Sequence, residues 1–343
     1  MDTDRASSLL AAAQADRQGL RGPDADAAMG RLEAAYPDFT EAFTVLLDAG
    51  RVNDAIELAA ALVPFWMATN RIDDGDRWFT RALEVPDSNT AARARALYEQ
   101  GYLIFWAGHY ERSRELSEQA VVLGRDADDP TITSLALGVL ARIALNTDVE
   151  EAIRLLQEAI AVTEGTDDRD GRSTAMHVLG VALQMSGRLD EARAVMSDRI
   201  ALGLETGNEY LIASESGNLS MVERQLGNLE HAEELSRTAL EIMSRRGDEL
   251  AVPWIVNGLA AVAAARGDVE RAATLNGYAD AGIERAGGEW PPDERQQFEW
   301  TLETLRAVMD PDALQKARAA GTAMSTSEAV EFGLSPSSQQ AAG

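Results

Sequence analysis

The chain has 343 residues, with 57 acidic against 31 basic side chains and a net charge of -26. A field of that sign repels a phosphate backbone, so direct nucleic-acid binding is not expected. There is no cysteine, which excludes a disulfide framework, a thiolate zinc site and a cysteine nucleophile and fits a reducing compartment. The opening MDTDRASSLLAAAQADRQGL lacks an uninterrupted apolar stretch, and no run approaches the roughly 18 apolar residues of a membrane span. The expected location is cytoplasmic, without membrane contact.

In chain order, residues 1–30 read as an amino-terminal extension: a short helix from Arg5 to Arg17, a break at Gly22 and Pro23, and a capping Asp24. Residues 31–90 read as capping helices and a first hairpin, with turns at Ala49-Gly50 and Asn70-Arg71, twenty residues apart. Pro86, Pro130 and Pro253 fall before or at the start of apolar-periodic runs, where a missing N–H costs little. Pro64 sits inside such a run, so a kink is expected there.

Residues 91–286 carry one phrase five times: GHYERS from Gly108, TDVEEA from Thr147, GRLDEA from Gly187, GNLEHA from Gly227 and GDVERA from Gly267. The last three copies are spaced by 40 residues. Such a period marks a repeat architecture. Each glycine is expected to end a helix in the left-handed conformation. Second helices then begin near Tyr110, Val149, Leu189, Leu229 and Val269, and these apolar residues are expected to fill the gap within each hairpin. Asp190, Asn228 and Asp268 are placed to cap the new helices. Ser113, Ala152, Ala192, Ala232 and Ala272 are small where two helices cross, and Ala120, Ala159, Ala239 and Ala279 repeat the device, with Arg199 the departure. Residues 287–334 read as capping helices, from Pro292 to Val308, from Pro311, and one capped by Ser325 or Thr326; residues 335–343 read as a flexible tail.

These small positions around a glycine turn resemble the tetratricopeptide repeat, although a 40-residue step lies nearer the HEAT and armadillo range. The expected fold is all-α: a right-handed α-solenoid of tetratricopeptide-like hairpins with a period of about 40 residues. The sequences RLEAAYPDFTEAF, DRWFTRAL and ARAAGTAMSTSEAVEFGL add a second likeness. With the repeats between them they resemble the C-terminal tetratricopeptide region of actinobacterial LuxR-type and AfsR-type ATPase transcriptional regulators, over roughly residues 31–334. That resemblance implies repeats that sense an inducer or partner and gate an ATPase. This chain has no phosphate-binding loop and no evident DNA-reading module, so ATP hydrolysis and DNA binding do not carry over.

No catalytic constellation is visible, and the chain is expected to be non-enzymatic and cofactor-free. His109, His177 and His231 never pair at i, i+4, and HExxH is missing. Asp73-Asp74 and Asp167-Asp168 are expected in turns, as helix caps. The sole lysine is Lys316, so the lysine clamp of chaperone-binding repeats is not expected. The aromatic series Phe65, Trp66, Trp78, Phe79, Tyr98, Tyr102, Phe105, Trp106 and Tyr110 is read mainly as hairpin core. Repeat alignment places Tyr98, Tyr102 and Phe105, with His177, Gln184, Arg224, Gln225, Trp254 and Asn257, on a ligand-binding groove. The expected role is an interaction or sensor module for a protein segment, peptide or small inducer, its partner an ATPase or DNA-binding regulator. The alternative is an assembly scaffold that self-associates without a small ligand.

Overall fold

The computed structural model describes residues 1–20, 25–86, 88–145, 147–166, 168–247, 251–285, 290 and 292–335. Among them every regular element is an α-helix, arranged as helix-hairpin repeats of the α-solenoid type. The chain forms two compact units, Met1–Ala182 and Leu183–Gly343.

In the first unit, α1 (Thr3–Gly19) is capped by Asp2, whose Oδ1 accepts the Arg5 N–H at 2.8 Å. The predicted break at Gly22, Pro23 and Asp24 lies outside the described residues. α2 (Ala25–Asp48), α3 (Val52–Ala68) and α4 (Ile72–Leu83) share an aromatic core of Tyr36, Phe43, Phe65, Trp66, Trp78 and Phe79. Trp66 Nε1 donates to Tyr36 Oη at 3.0 Å, and Tyr36 donates to Asp74 at 2.9 Å. Burial, followed by the Asp74 bond, pushes the Tyr36 hydroxyl up to about 12. Asp73 and Asp74, expected in the turn as helix caps, lie within the first turn of α4, whose N-cap is Arg71. Four helices follow: α5 (Thr90–Trp106), α6 (Tyr110–Asp126), α7 (Pro130–Ala144) and α8 (Val149–Val162). α9 (Arg169–Met185) runs across the division between the units.

Pro64 lies within α3 and has no N–H to give to the carbonyl four residues back. That carbonyl, on Ala60, instead accepts from the Arg17 guanidinium of α1. The proline thus creates a docking point for the amino-terminal helix.

The second unit contains α10 (Leu189–Thr206), α11 (Glu209–Gln225), α12 (Leu229–Arg246), α13 (Ala251–Arg266) and α14 (Val269–Arg285). Gly108, Gly187, Gly227 and Gly267 all have φ between 78° and 84°. After each, the next N–H bonds the carbonyl five residues back, as in Asn228 to Glu223 at 2.8 Å and Arg188 to Leu183 at 2.9 Å. The same closure appears at Gly50, Asn70, Asp128 and Gly207. A helix therefore stops about every twenty residues, half the step of the repeated phrase.

Two expectations about the phrase are corrected. Asn228 makes no capping bond; its Nδ2 donates to Glu223 at 2.6 Å, while Asp190 lies inside α10 and pairs with Arg193 at 3.3 Å. At His109, Arg188 and Asn228 the residue after the left-handed glycine has ψ near 60° and forms no side-chain cap bond. Asp129, Asp148 and Asn208, with ψ of 88–91°, do cap. Nor do the phrase's apolar residues fill the helix crossing: Val149, Leu189, Leu229 and Val269 are half-buried and Tyr110 is exposed, because a first-turn side chain leans back over the turn.

The small residues are the crossing. Ser113, Ala152, Ala192, Ala232 and Ala272 are fully buried, as are Ala120, Ala159, Ala239 and Ala279. Ser113 Oγ donates to Gly101 O at 2.8 Å, and Ser220 Oγ donates to Ala232 O at 2.7 Å. Arg199 departs from the pattern because its guanidinium pairs with Glu215, a fully buried carboxylate of α11.

The carboxy-terminal helices start where predicted: α15 (Pro292–Val308), α16 (Pro311–Thr322) and α17 (Thr326–Leu334), the last with a capping box from Ser325 and Glu328. The sequence ARAAGTAMSTSEAVEFGL is a docking strip. A Cβ on Gly321 would collide with Thr274 O, and one on Gly277 with Arg318 O, so α14 and α16 touch backbone to backbone. Arg271 of α14 donates to Gly333 O at 2.9 Å and to Ser335 O at 3.0 Å.

Gly321→Ala is expected to destabilise the protein by about 1–3 kcal/mol, because backbone cannot move aside as a side chain can, whereas Gly217→Ala, with nothing within 4 Å, should be neutral or stabilising; urea titration of both variants tests this. Arg199→Ala removes the guanidinium that holds Glu215 and is expected to cost about 3 kcal/mol. In the same titration, Arg199→Ala with Glu215→Leu should recover part of that loss.

Candidate functional site

A cavity of about 290 Å³ opens in the first unit among the first helices of its hairpins. Arg17 comes from α1, Val63, Pro64 and Met67 from α3, and Tyr98, Glu99 and Tyr102 from α5. α7 contributes Ser134, Leu135, Gly138, Val139 and Arg142; α9 contributes Gly171, Thr174, Ala175 and Val178 at helical spacing. Gly138 leaves room there, for a Cβ built on it meets nothing within 4 Å.

Charge in this cavity is unevenly committed. Glu99 is buried and faces Arg17 at 3.4 Å and Arg95 at 3.7 Å. Burial raises its carboxyl above the ordinary range, against the pull of both cations. Arg142 is half-buried, and among the described residues no carboxylate pairs with it. Burial lowers its pKa, partly opposed by the neighbouring Tyr102 and Tyr98 phenols. Burial drives the Tyr98 hydroxyl far up, so it remains a proton donor. Ser134 Oγ is buried without a hydrogen-bond partner.

The aromatic series divides. Phe65, Trp66, Trp78 and Phe79 are buried core, as the sequence suggested. Along α5 a ladder leads from interior to solvent: Tyr98 and Tyr102 stack at 6.1 Å, Tyr102 meets Trp106 edge-on at 6.2 Å, and Trp106 is 52% exposed. Phe105 packs on Trp106 and on Tyr110.

Of the nine groove candidates, Tyr98 and Tyr102 line the cavity. Phe105 sits beside the ladder, and His177 is half-buried on α9, one residue from the lining Val178. Gln184, Arg224, Gln225, Trp254 and Asn257 belong to the second unit. There Asn257 is buried and donates to Glu294 of α15, at 2.8 Å to Oε2. Arg224 lies 4.2 Å above the Trp300 ring of the same helix, and its burial lowers its pKa. Trp254 and Gln225 are exposed and Gln184 half-buried. Arg17, Ser134 and Arg142 were missed: Arg17 lies in a segment without the repeat phrase, and Ser134 and Arg142 fall in an apolar run that reads as core. His109 and His231 are exposed, His231 Nδ1 lying 3.4 Å from Glu223.

Residues 132–202 match the tetratricopeptide-repeat family profile. Over that span the chain is similar to tetratricopeptide repeats. Over 263 residues, 74% of its length, it is 27% identical to proteins of Mycobacterium tuberculosis and Mycobacterium bovis described as HTH-type transcriptional regulators. The match covers 28% of those proteins, so the chain spans about a quarter of the length of the curated relatives it matches. Among solved structures, the apo form of RapI has the same fold with a TM-score of 0.60 at 10% identity, over 96% of both chains. A signal transduction ATPase with numerous domains and a tetratricopeptide repeat sensor, from Pyrococcus horikoshii, has a TM-score of 0.54 at 10% identity over 86% of this chain and 48% of its own. Tetratricopeptide repeats characteristically build surfaces for protein partners. Among the described residues, no group of three or more histidine and acidic side chains is placed to hold a metal ion, and no helix is long and apolar enough to cross a membrane.

Glu99 supplies a pH test of the cavity. Its pKa is raised in the fold, so the folded chain keeps a proton that the unfolded chain has lost, and this group's contribution to stability falls as pH rises from the ordinary carboxylate value toward its own. Relative to the parent, Glu99→Gln is therefore expected to gain melting temperature progressively as pH rises above the ordinary carboxylate value of about 4.3. A constant difference across that range, in thermal melts at matched ionic strength, would remove Glu99 from this role.

Proposed function

We propose that this chain is the sensor and interaction part of a transcription-regulatory system, without catalysis of its own. The cavity in its first unit binds a peptide, protein segment or small inducer, and an ATPase or DNA-binding regulator responds to its occupancy. One observation carries this reading: first helices of successive hairpins leave an open, mixed apolar and polar cavity joined to an aromatic ladder that reaches solvent. Its volume lies near the lower end of ligand pockets, about 300 Å³ and upward. The relatives described as HTH-type regulators are several times longer than the matched segment, and the Pyrococcus protein joins an ATPase to a repeat sensor. Both support a regulatory setting. The net charge of -26 favours a partner for DNA contact over contact by this chain.

Gly138→Leu fills the cavity without removing any polar group and improves helix propensity. The test combines thermal shift against fractionated extract of the source organism with affinity capture, comparing parent and Gly138→Leu. A component that stabilises or is captured by the parent, and at least about tenfold less by the variant, is expected; 100-fold saturation would correspond to about 2.7 kcal/mol of stabilisation. Equal behaviour of both proteins, or no binding to either, would refute the reading.

A further inference from the structure

We infer that the first-unit cavity recognises a carboxylate on an apolar body, with Arg142 as its anchor. The inference rests on the cavity being a ligand site and adds the chemistry of what it holds. Donors outnumber acceptors among its polar groups. Arg142 has no carboxylate partner among the described residues, Ser134 Oγ is buried and unpartnered, and neither Tyr98 nor Tyr102 donates its hydroxyl proton to a described residue. The one carboxylate in the lining, Glu99, already faces Arg17 and Arg95. A ligand carboxylate has about four lone-pair sites and matches the guanidinium fork bidentately, with hydroxyl donors completing the set.

Much of the remaining lining is apolar: Val63, Pro64, Met67, Leu135, Val139 and Val178. Those side chains have nothing to offer a free inorganic anion but would cover a hydrocarbon tail or an apolar side chain. Because the whole chain is strongly negative, general attraction cannot gather anions here, and selection has to come from these local donors. Two ligand sources share this chemistry, a small organic acid and the C-terminal residue of a peptide.

The test uses the full chain, titrated by calorimetry and thermal shift with millimolar hexanoate, hexanamide, and trileucine as free acid and as C-terminal amide. At least one free acid is expected to bind, with its amide roughly tenfold weaker or worse, and Arg142→Gln is expected to remove that difference. Whether hexanoate or trileucine shows the effect tells the organic acid from the peptide terminus. The inference is overturned if acid and amide bind alike, if neither acid binds, or if Arg142→Gln changes nothing. A ligand-free measurement guards against a folding defect: Arg142→Met should melt at or above the parent temperature, because a guanidinium kept for an absent anion only costs the empty fold desolvation. A clear fall would make Arg142 structural and overturn the inference. An extract component that is sensitive to Gly138→Leu but indifferent to Arg142→Gln leaves the sensor reading standing without this anchor; acids that bind through Arg142, with no extract component or partner bound, leave the anchor standing without the regulatory reading.

Discussion

The structure depends on stopping a helix at a fixed length. Where the chain enters the left-handed region at Gly187, Gly207, Gly227, Gly247 and Gly267, five stops fall twenty residues apart. Each stop returns the chain along the helix just finished, and constant length keeps small residues opposite one another at every crossing. Gly101 against Ser113, and Ser220 against Ala232, are two such meetings. A helix longer or shorter by two residues would rotate its contact face by about 200° and put polar surface where alanine belongs.

The same regularity makes room for a site. Small residues draw the two helices of a hairpin together, and small residues on first helices, such as Gly138 and Ala175, also leave space between neighbouring hairpins. In the first unit that space is open between α5, α7 and α9. Polar groups concentrate there because Pro64 frees a carbonyl, Arg17 comes to it, and the same guanidinium faces Glu99. A single imino acid in α3 thereby connects the amino-terminal helix to the chemistry of α5.

Local grammar was readable in the sequence and long-range chemistry was not. The starts of α6, α8, α10, α12 and α14, and the span of α15, follow from glycine stops, apolar periodicity and prolines, all of which act within a few residues. Capping by Asn228 was misjudged because it depends on the local ψ value, near 60° here against 88° at the capping Asn208, which composition does not show. Within the groove list, Tyr98 and Tyr102 were accessible through repeat alignment. Arg142 was not, because an arginine in TITSLALGVLARIA carries no mark to say whether it meets a carboxylate, a carbonyl or an open cavity. The pairing of Arg17 with Glu99 spans 82 residues, and no periodic signal links two positions that occur once each. Arg199 was visible as an exception, but its reason, the buried Glu215, belongs to the next helix.

The carboxy-terminal helices make contacts that reach far back along the chain. α14 is in backbone contact with α16, and Arg237 of α12 donates to Ser335 O, 98 residues away, at 3.0 Å. During synthesis, the surfaces of α12, α13 and α14 therefore leave the ribosome well before the helices that cover them. At roughly 5–20 residues per second that interval lasts several seconds, during which apolar residues such as Leu240 and Leu259 wait for Gly333 and its neighbours. The packing of the second unit is therefore completed only once α15, α16 and α17 have been made.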